Sequence, residues 1–173
     1  MSLTTRTDGS LFLWHICLEG RPIEEGSEVA GKLAAVLSQL PTYQRVARDI
    51  KGYKGALNDA LQSIEVGGPL LFEAANVVTV VRHCGILLSF LERAPKFGRF
   101  SPIEFVRHRF ANLDFPLFLY RRLYGAKLWV EGKRVSYPNI VECEVRELIE
   151  SATRLISYME ERITKKPLKV WQI

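Results

Sequence analysis

LLFEAANVVTVVRHCGILLSFLER, residues 70–93, is apolar on almost every side yet carries Glu73, Asn76, Thr79, Arg82 and His83. Gly67-Gly68-Pro69 precedes it and Ala94-Pro95 follows, so both borders carry helix-stopping residues. A helix that is apolar all round has to be covered by other elements, which predicts the central helix of a bundle. A membrane span needs roughly 18 uninterrupted apolar residues, and Glu73, Asn76, Arg82 and His83 break the run well short of that.

The flanking stretches supply the cover. Tyr43, Val46, Ile50, Tyr53, Leu57, Leu61 and Ile64 share one face of a helix expected over 42–64. A second amphipathic helix is expected from Asn139, as N-cap with Glu142 as its capping-box partner. Its stripe is Val141, Val145, Leu148, Ile149, Ala152, Leu155, Ile156, Met159 and Ile163, with Glu142/Arg146 and Glu150/Arg154 paired on the wet side. Ser101-Pro102-Ile103-Glu104 reads as a capping box opening a short helix to about Asn112. Asp114 is the expected cap of a further helix carrying Phe118, Leu119, Leu123 and Trp129 as far as Gly132. A helix over 27–40 precedes all of these. Several long helices with short connections predict an all-α, up-and-down bundle.

The composition fits this reading. The chain has 173 residues, 47% hydrophobic and 25% charged, which excludes intrinsic disorder and suits one domain. A net charge of +5 permits an anionic partner without requiring one; Arg162, Lys165, Lys166 and Lys169 make the one tight basic cluster. MSLTTRTDGS has no signal-peptide pattern, so the expected compartment is the cytoplasm, with no membrane partner. Cys17, Cys84 and Cys143 lie in apolar contexts without metal-ligand spacing and read as buried, reduced thiols; no metal site is expected.

Motifs for catalysis are incomplete. Gly26 to Leu33 comes near a P-loop but has Leu33 at the Mg²⁺-binding position and Glu28 inside the phosphate cradle. Gly9-Ser10 lacks the Asp-x-Asp that a nucleotidyltransferase needs for its metals, and no serine sits in a nucleophile elbow. More informative are Glu73, Asn76, Thr79, Arg82 and His83, at helical spacing within an apolar helix. Buried charges need partners, so these residues either form an internal network or line a cleft for a nucleotide, RNA or partner domain. Tyr120-Arg121-Arg122-Leu123-Tyr124 adds guanidinium forks and aromatic faces, either as ordinary helix surface or as a phosphate and base contact.

The N-terminal segment 1–26 stands apart from the bundle expected over 27–173. In Leu11 to Leu18 seven of eight residues are apolar with neither helical nor strand periodicity. Gly9-Ser10-Leu11-Phe12-Leu13-Trp14-His15-Ile16, followed by Glu19-Gly20-Arg21-Pro22-Ile23, resembles the closing stretch of nucleotidyltransferase domains of the DNA polymerase β superfamily. Val80 to Leu88, with Phe97-Gly98-Arg99-Phe100-Ser101, resembles the helical domains attached to them, of the HEPN or kanamycin-nucleotidyltransferase C-terminal type. The resemblance implies a remnant edge of a catalytic domain on a HEPN-like bundle, in a toxin–antitoxin-like system. The implied partner is a nucleotidyltransferase domain in cis or trans. HEPN ribonucleases carry Arg-x(4–6)-His, whereas Arg82-His83 and Arg107-His108 are adjacent here and Arg99 to His108 is too long.

The expectation is therefore a non-catalytic module that binds a substrate or nucleotide, or docks the transferase, with no bound cofactor. Glu73, Asn76, Arg82, His83, Arg99, Tyr120, Arg121 and Tyr124 are its candidate ligand-binding residues. The alternatives are a ribonuclease with a degenerate site, using His83 or His108 with Arg82 or Arg107, and a homodimeric adaptor using Trp129, Tyr137 and Trp171.

Overall fold

In the computed structural model, which describes residues 9–21, 28–41, 43–133 and 136–165, every regular element is helical. The described residues fall into two compact units, one ending at Val46 and the other beginning at Ala47.

The first unit holds α1 (Leu11–Glu19) and α2 (Glu28–Leu37), which pack on each other. The apolar segment 11–18 is thus a helix. Trp14 is buried, while Phe12 and Leu18 are exposed, as are Val29, Leu33 and Val36 of α2.

The second unit is organised around α4 (Leu70–Leu91), with α3 (Val46–Glu65), α5 (Ser101–Arg109), α6 (Leu117–Val130) and α7 (Glu142–Lys165). By length and composition α4 is the one described helix able to cross a membrane, but 72% of its most apolar window is buried. Helices α5, α6 and α7 pack directly on it. Gly85 permits a close approach of α5: a Cβ there would lie 2.7 Å from Ile103 Cδ1 and 3.0 Å from Pro102 Cβ. The stripe expected on α7 is buried from Val145 to Met159; Val141 lies before the helix and is exposed, and Ile163 is half-buried.

Helix α3 ends as its sequence predicts. Gly67 is left-handed (φ 78°), its N–H bonds to the Ile64 carbonyl, and the Gly68 N–H bonds to that of Ser63, a Schellman closure. The same bond pair closes α6 at Gly132 and α4 at Arg93. Arg93 (φ 59°) thus holds a conformation that favours glycine.

Several helix starts differ from expectation. Helix α7 begins at Glu142, three residues after Asn139, and Glu144 is the side chain that reaches back, to the Val141 N–H at 3.4 Å. Glu142 pairs with Arg146 as expected, at 2.7 Å, but Arg154 bonds Ser151 Oγ instead of Glu150. Ser101 lies inside α5, and the Phe100 carbonyl receives the N–H groups of Ile103 and Glu104. Asp114 closes a 3-10 turn, Ala111–Leu113, in a left-handed conformation, and α6 starts only after Pro116. Phe118 and Trp129 face outward, whereas Leu119 and Leu123 are buried. Cys143 is exposed because it precedes the α7 stripe, between two glutamates; Cys17 is half-buried and Cys84 fully buried.

Two substitutions check this packing. Gly85→Leu forces a side chain into the α4–α5 contact and should cost about 1–3 kcal/mol in urea unfolding. Arg93→Gly relieves the left-handed residue and should raise stability by up to about 1 kcal/mol; a lower midpoint would contradict the assigned closure.

Candidate functional site

At about 100° per residue, Glu73, Asn76, Thr79, Arg82 and His83 spread over about half the circumference of α4. Glu73 and Arg82 lie about 13 Å apart along the axis, too far to pair with each other. The structure separates the candidate residues into three groups.

The first group joins α3 to α4. Glu73 is buried and accepts hydrogen bonds from Ser63 Oγ (2.7 Å) and from Asn76 Nδ2 (3.4 Å). It lies in the first turn of α4, where the positive end of the helix dipole also favours a carboxylate. Ser63 belongs to the turn that closes α3, so this bond fixes the α3–α4 corner. Thr79 bonds its own helix at the Ala75 carbonyl (2.8 Å).

The second group surrounds His83. Its ring stacks on Tyr53 of α3, centroids 6.1 Å apart and planes 30° off parallel. Tyr53 is hydrogen-bonded with Asp49, and burial together with that carboxylate pushes its phenol well above the usual value. Burial is also the main cause that lowers the His83 pKa, reinforced by the positive charges of Arg82 and Lys127 and opposed by Asp49. The neighbouring Cys84 thiol is pushed up by complete burial.

The third group is the connection between α4 and α5. Arg82 donates from Nε to the Gly98 carbonyl (3.2 Å) and from Nη2 to the Phe97 carbonyl. Tyr120, fully buried, donates to the Arg99 carbonyl (3.1 Å), and Ser89 Oγ accepts the Lys96 N–H (3.0 Å). Arg82 and Tyr120 thus hold backbone of the connection. Phe100 meets Tyr120 and Tyr124 edge-on at 6.1 and 5.2 Å, Arg99 lies over Tyr124, and Arg121 over Phe100. Arg121 also pairs with Glu104 of α5, and Arg122 with Glu144 of α7 at 2.9 Å. The two arginines of the Tyr120–Tyr124 run therefore tie α6 to both neighbours.

Of the eight candidates, Arg82, Arg99, Tyr120, Arg121 and Tyr124 are brought together; Glu73 and Asn76 sit at the other end of α4, and His83 between. Among the described residues no group of three His, Cys, Asp or Glu side chains is placed to share a metal ion. His108 is exposed in the last turn of α5. Of the basic cluster near the C-terminus, Arg162 pairs with Glu92 and Lys165 with Glu161; Lys166 and Lys169 lie outside the described residues.

Sequence reasoning did not single out the Pro69–Phe72 turn with Trp129, Val130 and Tyr137. These residues line an open, apolar groove of about 450 Å³. Trp129 and Tyr137, expected as exposed aromatics, meet edge-on at 5.2 Å beside it; Trp171 lies outside the described residues. A comparison with protein families, curated proteins and solved structures finds no match to this chain.

Arg82→Ala leaves the Phe97 and Gly98 carbonyls without their donor and should cost about 1–3 kcal/mol of stability in denaturant melts. A fully stable variant would contradict the anchoring role.

His83 has its pKa lowered in the folded state, so the unfolded chain binds more protons below the ordinary histidine value. Its stabilising contribution is complete above about pH 6.5 and declines as the pH falls through the depressed folded value. Melting temperatures between about pH 7 and 5 should fall for the wild type and fall less for His83→Gln; equal slopes would exclude His83 as the source.

Proposed function

We propose that this chain is a non-catalytic module of a nucleotidyltransferase system, an up-and-down, HEPN-like bundle that docks onto the catalytic domain, in the same chain or as a separate subunit. The observation that carries this reading is a contrast in how side chains are used. The charged side chains of α4, Glu73 and Arg82, are held by α3 and by the 94–100 connection, while apolar side chains of α1 and α2 are left open. Phe12 is 69% exposed and Val29 75%, and Val29, Leu33 and Val36 recur at steps of four and three along α2. Exposed apolar stripes of this kind suit burial against a second surface, at roughly 1.5–3 kcal/mol for each large side chain fully covered.

The resemblance of Gly9 to Ile23 to the end of a nucleotidyltransferase domain supports that domain as the occupant, because the same segment supplies α1. The three free cysteines fit a reducing compartment, and we place the module in the cytoplasm. In this reading a nucleotide or RNA substrate is bound jointly with the catalytic domain.

Titration calorimetry with a purified nucleotidyltransferase domain bearing Gly-Ser and Asp-x-Asp tests the docking. Binding should weaken at least about ten-fold, about 1.4 kcal/mol, in Leu33→Arg, with unchanged helicity by circular dichroism. Equal binding by that variant, or none by the wild type, would remove the proposal. Light scattering that finds a wild-type dimer and a Leu33→Arg monomer would assign the stripe to a second copy of the chain.

A further inference from the structure

We propose that the surface carried by residues 93–109 binds the phosphate backbone of nucleic acid, independently of the apolar stripe on α2. The argument begins with where cations lack counter-ions. Lys54, Arg122, Lys127, Arg146 and Arg162 each hold a carboxylate. By contrast Arg93, Lys96, Arg99, Arg107 and Arg109 are all exposed, and none makes an ion pair among the described residues. The one acidic side chain between Arg93 and Arg109, Glu104, is taken by Arg121. Five uncompensated cations therefore share the connection between α4 and α5 and the last turn of α5. Helix α5 has nine residues and is about 13 Å long, which keeps them within reach of one ligand.

Helix dipoles explain part of this placement. Arg93 and Lys96 follow the C-terminus of α4, and Arg107 and Arg109 lie at that of α5, where cations are favoured. Arg99 does not fit that explanation. It stands two residues before α5, at the positive end of the dipole, and with Arg82 it acts on the Tyr120 hydroxyl. Its guanidinium rests on the Tyr124 ring, which leaves its N–H donors directed to solvent without a carboxylate partner among the described residues.

The connection is also built to present its side chains. Ser89, Arg82 and Tyr120 fix the backbone of Lys96, Phe97, Gly98 and Arg99, and the Arg99 guanidinium is held over Tyr124 at 5.4 Å. Fixing the donors before the ligand arrives lowers the ordering cost of binding. Arginine forks suit phosphate oxygens. The buried rings of Tyr120 and Tyr124 are not open to stacking bases, so contact runs through phosphates and carries little sequence preference.

A nucleic-acid backbone is favoured over a lipid headgroup surface. Phe97, Ile103 and Val106 are buried, and no large apolar side chain between Arg93 and Arg109 is strongly exposed to enter a bilayer.

The test is fluorescence anisotropy of a labelled, mixed-sequence single-stranded RNA with the full chain, from about 50 to about 200 mM salt. The wild type should bind and weaken steeply with salt. Lys96→Glu/Arg99→Glu should lose at least about ten-fold, and Lys96→Gln/Arg99→Gln should move in the same direction with a shallower salt slope. Arg48→Glu/Lys51→Glu, the same charge reversal at exposed positions on α3, should lose less than about three-fold, because it changes net charge alone. Equal losses in the two Glu pairs would overturn the proposal. So would no wild-type binding at the lowest salt, or binding to phosphatidylserine vesicles without binding to RNA.

Discussion

Hiding α4 inside the second unit creates the constraint that orders its neighbours. A polar group on the buried faces of such a helix cannot be left to water, and Glu73, Arg82 and Ser89 each find a partner across the packing. Glu73 finds Ser63, and this ties the end of α3 to the start of α4. Arg82 finds two carbonyls, and this pins the connection from α4 to α5 against α4. Ser89 donates to the Ile86 carbonyl while accepting the Lys96 N–H, holding the same connection at the residue before Phe97. The polar minority on α4 thus specifies which element lies where, while the apolar majority supplies the driving force.

A second layer of contacts acts between the outer helices. Arg121 and Arg122, adjacent on α6, pair with α5 and α7 respectively, and Arg162 brings α7 to Glu92 just past the end of α4. Exposed pairs of this kind contribute little each. The rotation of α6 is set by burial of Leu119, Tyr120, Leu123 and Tyr124, which leaves Phe118 and Trp129 outside and places the two arginines beside their carboxylates.

Helical periodicity was legible wherever one face is wet. The stripes of α3 and α7 follow from spacing alone, and so does the glycine closure at Gly67. Helix starts were harder to read, because Asn139, Ser101 and Asp114 all have side chains able to cap, and tertiary packing chose other positions. The apolar residues of α6 gave no sign of which would face out, since they occur all round the helix and the buried face is chosen by packing against α4. For α4, spacing identified the residues that need partners but could not say whether those partners were ligands or backbone. The Arg82 bonds to Phe97 and Gly98 join residues fifteen and sixteen apart through an irregular connection, and no local pattern encodes them.

Burial of Cys84 has a consequence for how this molecule meets oxidants and alkylating reagents. Its thiol is kept protonated and out of contact with solvent, and the thiolate is the form that reacts. Cys143, in the first turn of α7, has no such shelter. The chain therefore holds a chemically silent sulfur beside an accessible one. Modification at residue 84 requires α4 to be uncovered, so its labelling rate counts openings of the bundle while residue 143 records the dose of reagent.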